Sequence, residues 1–136
     1  MYVRICNLLT YVPHNYRTSD LRQRVNSTIH QAPPCMQVDH IVELQVVARA
    51  LNNINHTHVD PSLQILINFF NSQSNLQFIP AKDNEAKRSA VNRYLSGCPT
   101  GDDLICIKII KARWTYLKPL LANFELFKRE MDKILA

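Results

Sequence analysis

Cys35-Met36-Gln37-Val38-Asp39-His40-Ile41 and Asn75-Leu76-Gln77-Phe78-Ile79-Pro80 are the two stretches on which the fold turns. Each is short, and the first is partly alternating, as suits a β-strand; the second is closed by its proline, which cannot donate to a ladder. After it, Asp83 can cap a helix running to about Ser96, and Gly97 stands where helices commonly end. The 34 residues between His40 and Asn75 read as two helices. Leu44, Val47, Leu51 and Ile54 keep one face apolar to about Asn55. Asp60-Pro61 then starts a helix to about Asn71 that buries Leu63, Leu66, Ile67 and Phe70, because Asp accepts from free N–H groups at the cap and Pro fits the first turn.

Outward from this centre, residues 1–17 read as an irregular arm with a short strand at Tyr2 to Ile5. Ser19 and Asp20 can cap a helix in which Leu21, Val25 and Ile29 recur every four residues, ending before Pro33-Pro34. On the other side, Asp102 or Asp103 opens a long helix through Trp114. Pro119 kinks it or begins a final helix carrying Leu120, Phe124, Phe127, Met131 and Ile134. Trp114 is expected against the core; stacking of Trp114 and Tyr116 on bases, beside Lys111, Arg113 and Lys118, is the alternative.

Length and composition agree with a folded chain of this kind. The 136 residues make one ordinary domain, and 46% apolar with 20% charged residues excludes disorder, collagen and coiled coil as starting points. Two glycines against seven prolines exclude a meander of many tight hairpins. The fold class expected is mainly helical α+β. A formal charge of +5, spread along the chain, favours an anionic partner such as nucleic acid. No apolar run is long enough for a signal peptide or a membrane span, so no membrane partner is expected. An intracellular location is favoured, with a secreted mature form as the alternative.

Cys6, Cys35, Cys98 and Cys106 contain no C-x-x-C pair, which argues against a zinc ribbon and a thioredoxin-type redox site. Buried thiols are the expectation, and two disulfides in a secreted toxin-like nuclease the alternative. His56 and His58 fall in a polar turn between helices and read as solvated; His14 and His30 have no partner pattern.

Chemistry concentrates in Val38-Asp39-His40-Ile41-Val42-Glu43-Leu44-Gln45 and in Asn75-Leu76-Gln77 with Asn84-Glu85-Ala86-Lys87. Strand, strand and helix come in the order that can bring an imidazole, a carboxylate and an amide oxygen together. On the last helix Asn84 shares a stripe with Val91 and Leu95, the side that packs inward, and an amide there needs a partner that a metal ion could supply. Lys87 and Arg88 flank that stripe and can reach a phosphate; with Arg93, they can equally be a solvated face. Neighbours in a regular strand point to opposite faces, so Asp39 and His40 can serve one site only where the strand ends or bends.

This order of residues resembles the HNH nucleases of the His-Me finger (ββα-metal) superfamily. Asp39-His40-Ile41, then Asn75-Leu76-Gln77, then Asn84-x-x-Lys87 carry the resemblance, over about residues 35–97. It implies a ββα-metal core at 35–97 with a helical insertion, helical flanks and a C-terminal helical extension at 98–136, the whole of 1–136 forming a single domain. It also implies an endonuclease hydrolysing phosphodiester bonds of nucleic acid, DNA rather than RNA. His40 would be the general base and Asn75 would brace the backbone connection that aims it. Asp39 and Asn84 would hold one divalent metal ion, Mg²⁺ or else Mn²⁺, and Lys87 would contact a phosphate that Arg88 can also reach. The family often has a third His at the place of Asn84 and two C-x-x-C zinc pairs, neither of which occurs here; the inserted helices could replace the zinc as scaffold. Glu43 stands where many relatives have Pro, and reads as an acid favoured at a helix N-terminus rather than a carboxylate orienting His40. The alternative is a catalytically silent module that binds nucleic acid or protein on the same scaffold.

Overall fold

The described part of the chain contains two two-stranded antiparallel sheets and six α-helices. The computed structural model describes residues 2–5, 8–11, 16–23, 32–55 and 61–136, the first two segments by their backbone alone. The elements in order are β1 (Tyr2–Ile5), β2 (Leu8–Tyr11), α1 (Thr18–Leu21), β3 (Met36–His40), α2 (Leu44–Asn53), α3 (Ser62–Phe70), β4 (Leu76–Pro80), α4 (Ala81–Leu95), α5 (Gly101–Leu117) and α6 (Glu125–Ile134). The architecture is mainly helical α+β. Among the described residues no helix is long and apolar enough to cross a membrane.

β3 and β4 pair antiparallel from Met36↔Pro80 to His40↔Leu76. Backbone bonds close the ladder at both ends: Ala81 N–H donates to Cys35 O at 3.0 Å and Ile41 N–H to Asn75 O at 2.8 Å. Cys35 enters the strand at φ 63°. Pro80 ends β4 and stands directly before the first turn of α4, where its missing N–H costs nothing. Asp83 therefore lies in the first turn of α4 instead of capping it. Gly97, at φ 82°, turns the chain after α4, a conformation that glycine adopts without a Cβ clash.

The inserted helices supply the floor of the molecule. α2 buries Leu44, Val46, Val47, Ala48, Ala50 and Leu51, a wider face than the stripe of Leu44, Val47, Leu51 and Ile54 suggested. α3 buries Leu63, Leu66 and Phe70, whereas Ile67, expected inside, is only partly covered. Phe70 meets Trp114 of α5 at 6.2 Å and Phe127 of α6 at 5.9 Å between ring centroids. These rings tie the insertion to the C-terminal helices, and one cluster of buried apolar side chains runs from Tyr16 to Leu135. Trp114 also donates its Nε1–H to Asp132 Oδ1 at 2.9 Å, and with 3% exposure and Phe70 stacked on it the ring's face is not free for bases.

Several boundaries differ from the sequence expectation. The N-terminal arm has a second strand, β2, paired with β1. The helix expected from Ser19 begins at Thr18 and stops at Leu21, after which Arg22 is extended; Val25 and Ile29 lie outside the described residues. α5 is capped by Thr100, whose Oγ1 accepts the Asp103 N–H at 3.1 Å while Asp103 Oδ2 accepts the Thr100 N–H at 2.8 Å. Pro119 falls in a 3₁₀ turn (Lys118–Leu120), and the final helix starts later, after Asn123 and Phe124 at φ 65° and 57°. Cys35 and Cys98 are exposed and Cys106 partly exposed, all free thiols, so the expectation of burial fails for the first two; Cys6, His14, His30, His56, His58 and Asp60 lie outside the described residues.

Candidate functional site

Strand alternation and one helix phase set out the site. Gln37 and Asp39 share the face of β3 that looks toward α4, and Asp39 is 2% exposed. A carboxylate so deep needs a counter-charge, and Lys87, one turn beyond Asn84, supplies it. Lys87 Nζ lies 2.9 Å from Asp39 Oδ1 and 2.7 Å from Oδ2, and also donates to the carbonyls of His40 at 2.8 Å and Ile41 at 3.0 Å. Register places Gln77 directly opposite Asp39, and Gln77 Nε2 donates to Oδ2 at 2.8 Å. Lys87 was expected at a phosphate; here its ammonium is turned under the strand, because the desolvated carboxylate is its strongest available partner.

His40 is the last residue of β3, where the strand gives way to the connection. Its Nε2 is 2.8 Å from Asn71 Oδ1. Burial, the largest cause, pulls its pKa below the ordinary 6.5, with Arg22 and Lys87 adding to the effect and the Asn71 bond and Asp39 opposing it. The imidazole is therefore neutral at pH 7 and able to accept a proton.

Asn75 is completely buried and bonded on all sides to backbone. Its Oδ1 accepts the Val42 N–H at 2.8 Å, and its Nδ2 donates to Val42 O at 3.2 Å and Phe70 O at 2.9 Å. With Ile41 N–H on its own carbonyl, Asn75 grips the segment just after His40.

A cleft of about 720 Å³ opens over these groups, lined among others by Asp39, His40, Glu43, Asn84, Arg22 and Arg88. Arg22 and Arg88 are exposed at its edge and make it attractive to an anion. Glu43 caps α2 in position but makes no capping bond; its Oε2 accepts from Gln45 Nε2 at 2.7 Å, and Gln45 also bonds the Arg88 carbonyl. Burial pushes the Glu43 carboxyl above its ordinary range, opposed by the Gln45 bond and Lys87.

Asn84 projects from the first turn of α4 and is 7% exposed. Its Nδ2 donates to Gln37 Oε1 at 2.8 Å, while its Oδ1 has no hydrogen-bond partner among the described residues. A buried amide oxygen of this kind wants a cation or a donor. Asp39, with about four lone-pair sites and three donated bonds, retains acceptor capacity on Oδ1. Asp39 and Asn84 both offer oxygen, which suits a hard divalent cation that keeps several of its waters. Among the described residues no cluster of three or more His, Cys, Asp or Glu side chains could hold a metal ion.

Asp39, His40, Asn84 and Arg88 thus line one cleft, with Asn75 beneath it and Lys87 withdrawn from it. Asn71 and Arg22 were not anticipated. Asn71 reaches His40 across 31 residues of sequence and Arg22 follows a four-residue helix, so neither has a local signal. No protein-family model, no curated protein and no solved structure matches this chain.

Proposed function

We propose that this chain is a ββα-metal endonuclease that hydrolyses phosphodiester bonds of nucleic acid, DNA rather than RNA, with His40 as general base. The observation that carries the reading is the meeting of a neutral imidazole, the Asp39 carboxylate and the orphaned Asn84 oxygen in one cleft edged by Arg22 and Arg88. Strand β3 supplies the imidazole and the carboxylate and helix α4 the amide oxygen, with β4 between them in the chain, which is the order of the finger.

Arg22 and Arg88 draw the phosphate into the cleft. His40 takes a proton from a water as its oxygen bonds to phosphorus. The bond from phosphorus to the 3′ oxygen breaks with its electron pair, and that oxygen gains a proton from solvent, leaving 5′-phosphate and 3′-hydroxyl ends. A divalent cation on Asp39 and Asn84, Mg²⁺ or Mn²⁺, would neutralise charge on the phosphate and on the departing oxygen. Asn75 holds the backbone behind His40 and keeps the ring aimed while charge moves.

A second reading, a binding module without turnover, draws on one observation: Lys87 already neutralises Asp39. Supercoiled plasmid incubated with Mg²⁺, Mn²⁺ or EDTA separates the two. Nicking by the unmodified protein with either ion, absent with EDTA and in a folded His40→Ala variant that still binds DNA, is the expected result. Intact plasmid under every condition would leave only the binding module.

A further inference from the structure

The amide of Asn71 is oriented by three bonds that do not involve His40. Its Nδ2 donates to Leu21 O at 3.0 Å and to Ile67 O at 2.7 Å, and its Oδ1 accepts the Gln23 N–H at 3.2 Å. Turning the amide over would set its oxygen against two carbonyl oxygens and its NH₂ against an N–H. The atom 2.8 Å from His40 Nε2 is therefore an acceptor, and Nε2 must carry the proton. A neutral imidazole protonated at Nε2 keeps its lone pair on Nδ1, and Nδ1 has no hydrogen-bond partner among the described residues.

We propose that Asn71 is a positioning residue: it locks neutral His40 as the Nε2–H tautomer and so leaves Nδ1 as the atom that accepts the proton of the attacking water. This rests on the reading of His40 as general base. The lock is strong because Asn71 is itself buried and its remaining bonds go to Leu21 and Gln23 on one segment and to Ile67 of its own helix. Pinned at Nε2 and at its own backbone, the ring has little freedom to rotate. The same amide fixes the chain on both sides of Arg22, so one residue sets the base and the place of a phosphate-attracting cation.

Long-range ¹H–¹⁵N correlation spectra of ¹⁵N-histidine-labelled protein at pH 8 read the tautomer directly. The expected spectrum of His40 is that of a protonated Nε2 and a bare Nδ1; a protonated Nδ1 would overturn the proposal whatever the protein cleaves. Asn71→Ala and Asn71→Asp both lose the donors to Leu21 and Ile67, but Asn71→Asp keeps an acceptor for Nε2–H. Asn71→Ala should show mixed tautomers and lose roughly tenfold or more in kcat with KM little changed, whereas Asn71→Asp should keep the Nε2–H signature and recover most of that loss. Equal impairment of the two variants with the same tautomer in both would reduce Asn71 to a structural role and overturn the proposal. Should Asn71→Ala not fold, the spectra of the unmodified protein and of Asn71→Asp still decide. An Nε2–H spectrum in a protein that never nicks nucleic acid would refute His40 as a base, and with it the catalytic half of the proposal, while leaving Asn71's hold on the ring in place.

Discussion

Lys87 and Asp39 form an ion pair in which the ammonium touches both carboxylate oxygens, and the two side chains are 10% and 1% exposed. The pair fastens helix α4 to strand β3 at the point where the strand ends in His40, and Lys87 adds bonds to the His40 and Ile41 carbonyls. Two opposite demands meet there. The carboxylate needs a positive charge to be buried at all, and the proposed chemistry needs the same carboxylate to share a divalent cation with Asn84.

Splitting the pair should be costly. Lys87→Met keeps the stem and removes the charge, leaving Asp39 with Gln77 as its donor; the expected loss is about 3–5 kcal/mol of unfolding free energy, since it strands a buried charge. Urea unfolding measures it. Adding Asp39→Asn to that variant should restore a large part, because the two effects are coupled rather than additive. Mg²⁺ should raise the Tm of Lys87→Met more than that of the unmodified protein, the ion taking the place of the lost ammonium. A single variant within about 1 kcal/mol of the parent would contradict the burial of the pair.

Asn75 offers a test of the backbone grip behind the base. Its carboxamide makes three bonds to Val42 and Phe70 with no access to water. Asn75→Ala leaves the Val42 N–H and two carbonyls without partners in the interior, at about 1–3 kcal/mol for each unsatisfied group and several kcal/mol in all. Asn75→Asp should be no better, since it retains the acceptor but sets a negative charge against the Val42 and Phe70 carbonyls. Denaturant midpoints well below the parent for both variants are expected; a stable Asn75→Asp would show that the amide nitrogen contributes little.

The parts of this fold that were legible in the sequence are those fixed by local rules. The β3 and β4 stretches showed as short strands, the first partly alternating, Pro80 marked the passage from β4 to α4, and Gly97 marked the end of α4 because a left-handed turn was needed there. What escaped was set by distant partners. α1 stops at Leu21 because Asn71 takes the Leu21 carbonyl and the Gln23 N–H, the groups a longer helix would have used itself. Leu8-Leu9-Thr10-Tyr11 has no alternation and becomes β2 only through its pairing with β1. For Lys87, helix phase placed it beside Asn84, but its partner depended on how deep Asp39 would lie, and depth is a tertiary property. The phase of Asn84 was legible and its bond to Gln37 was not, because side-chain direction follows local geometry and bonding follows the packed whole.

Glu43 carries the pH dependence that these contacts predict. Its carboxyl is 8% exposed, and burial raises its pKa above the ordinary 4.5 in spite of the Gln45 bond and the Lys87 charge. A group whose pKa is raised by folding favours the native state below its unfolded value, and that contribution is lost as the pH rises through the folded value. Once the pH has passed the folded value, the buried carboxylate of Glu43 is therefore a liability. Glu43→Gln keeps an oxygen for Gln45 Nε2 and removes the charge, so it should raise Tm at pH 7 and leave it nearly unchanged below pH 4.5, with the gap opening between. The loss of a negative charge at the N-terminus of α2 works the other way by about 0.3–1 kcal/mol, a screened effect that fades within the first turn. Burial should win because Glu43 makes no capping bond through which the helix end could hold it. Thermal melts of both proteins at pH 4 and pH 7 decide the sign, and a variant less stable than the parent at pH 7 would give the helix end the larger share.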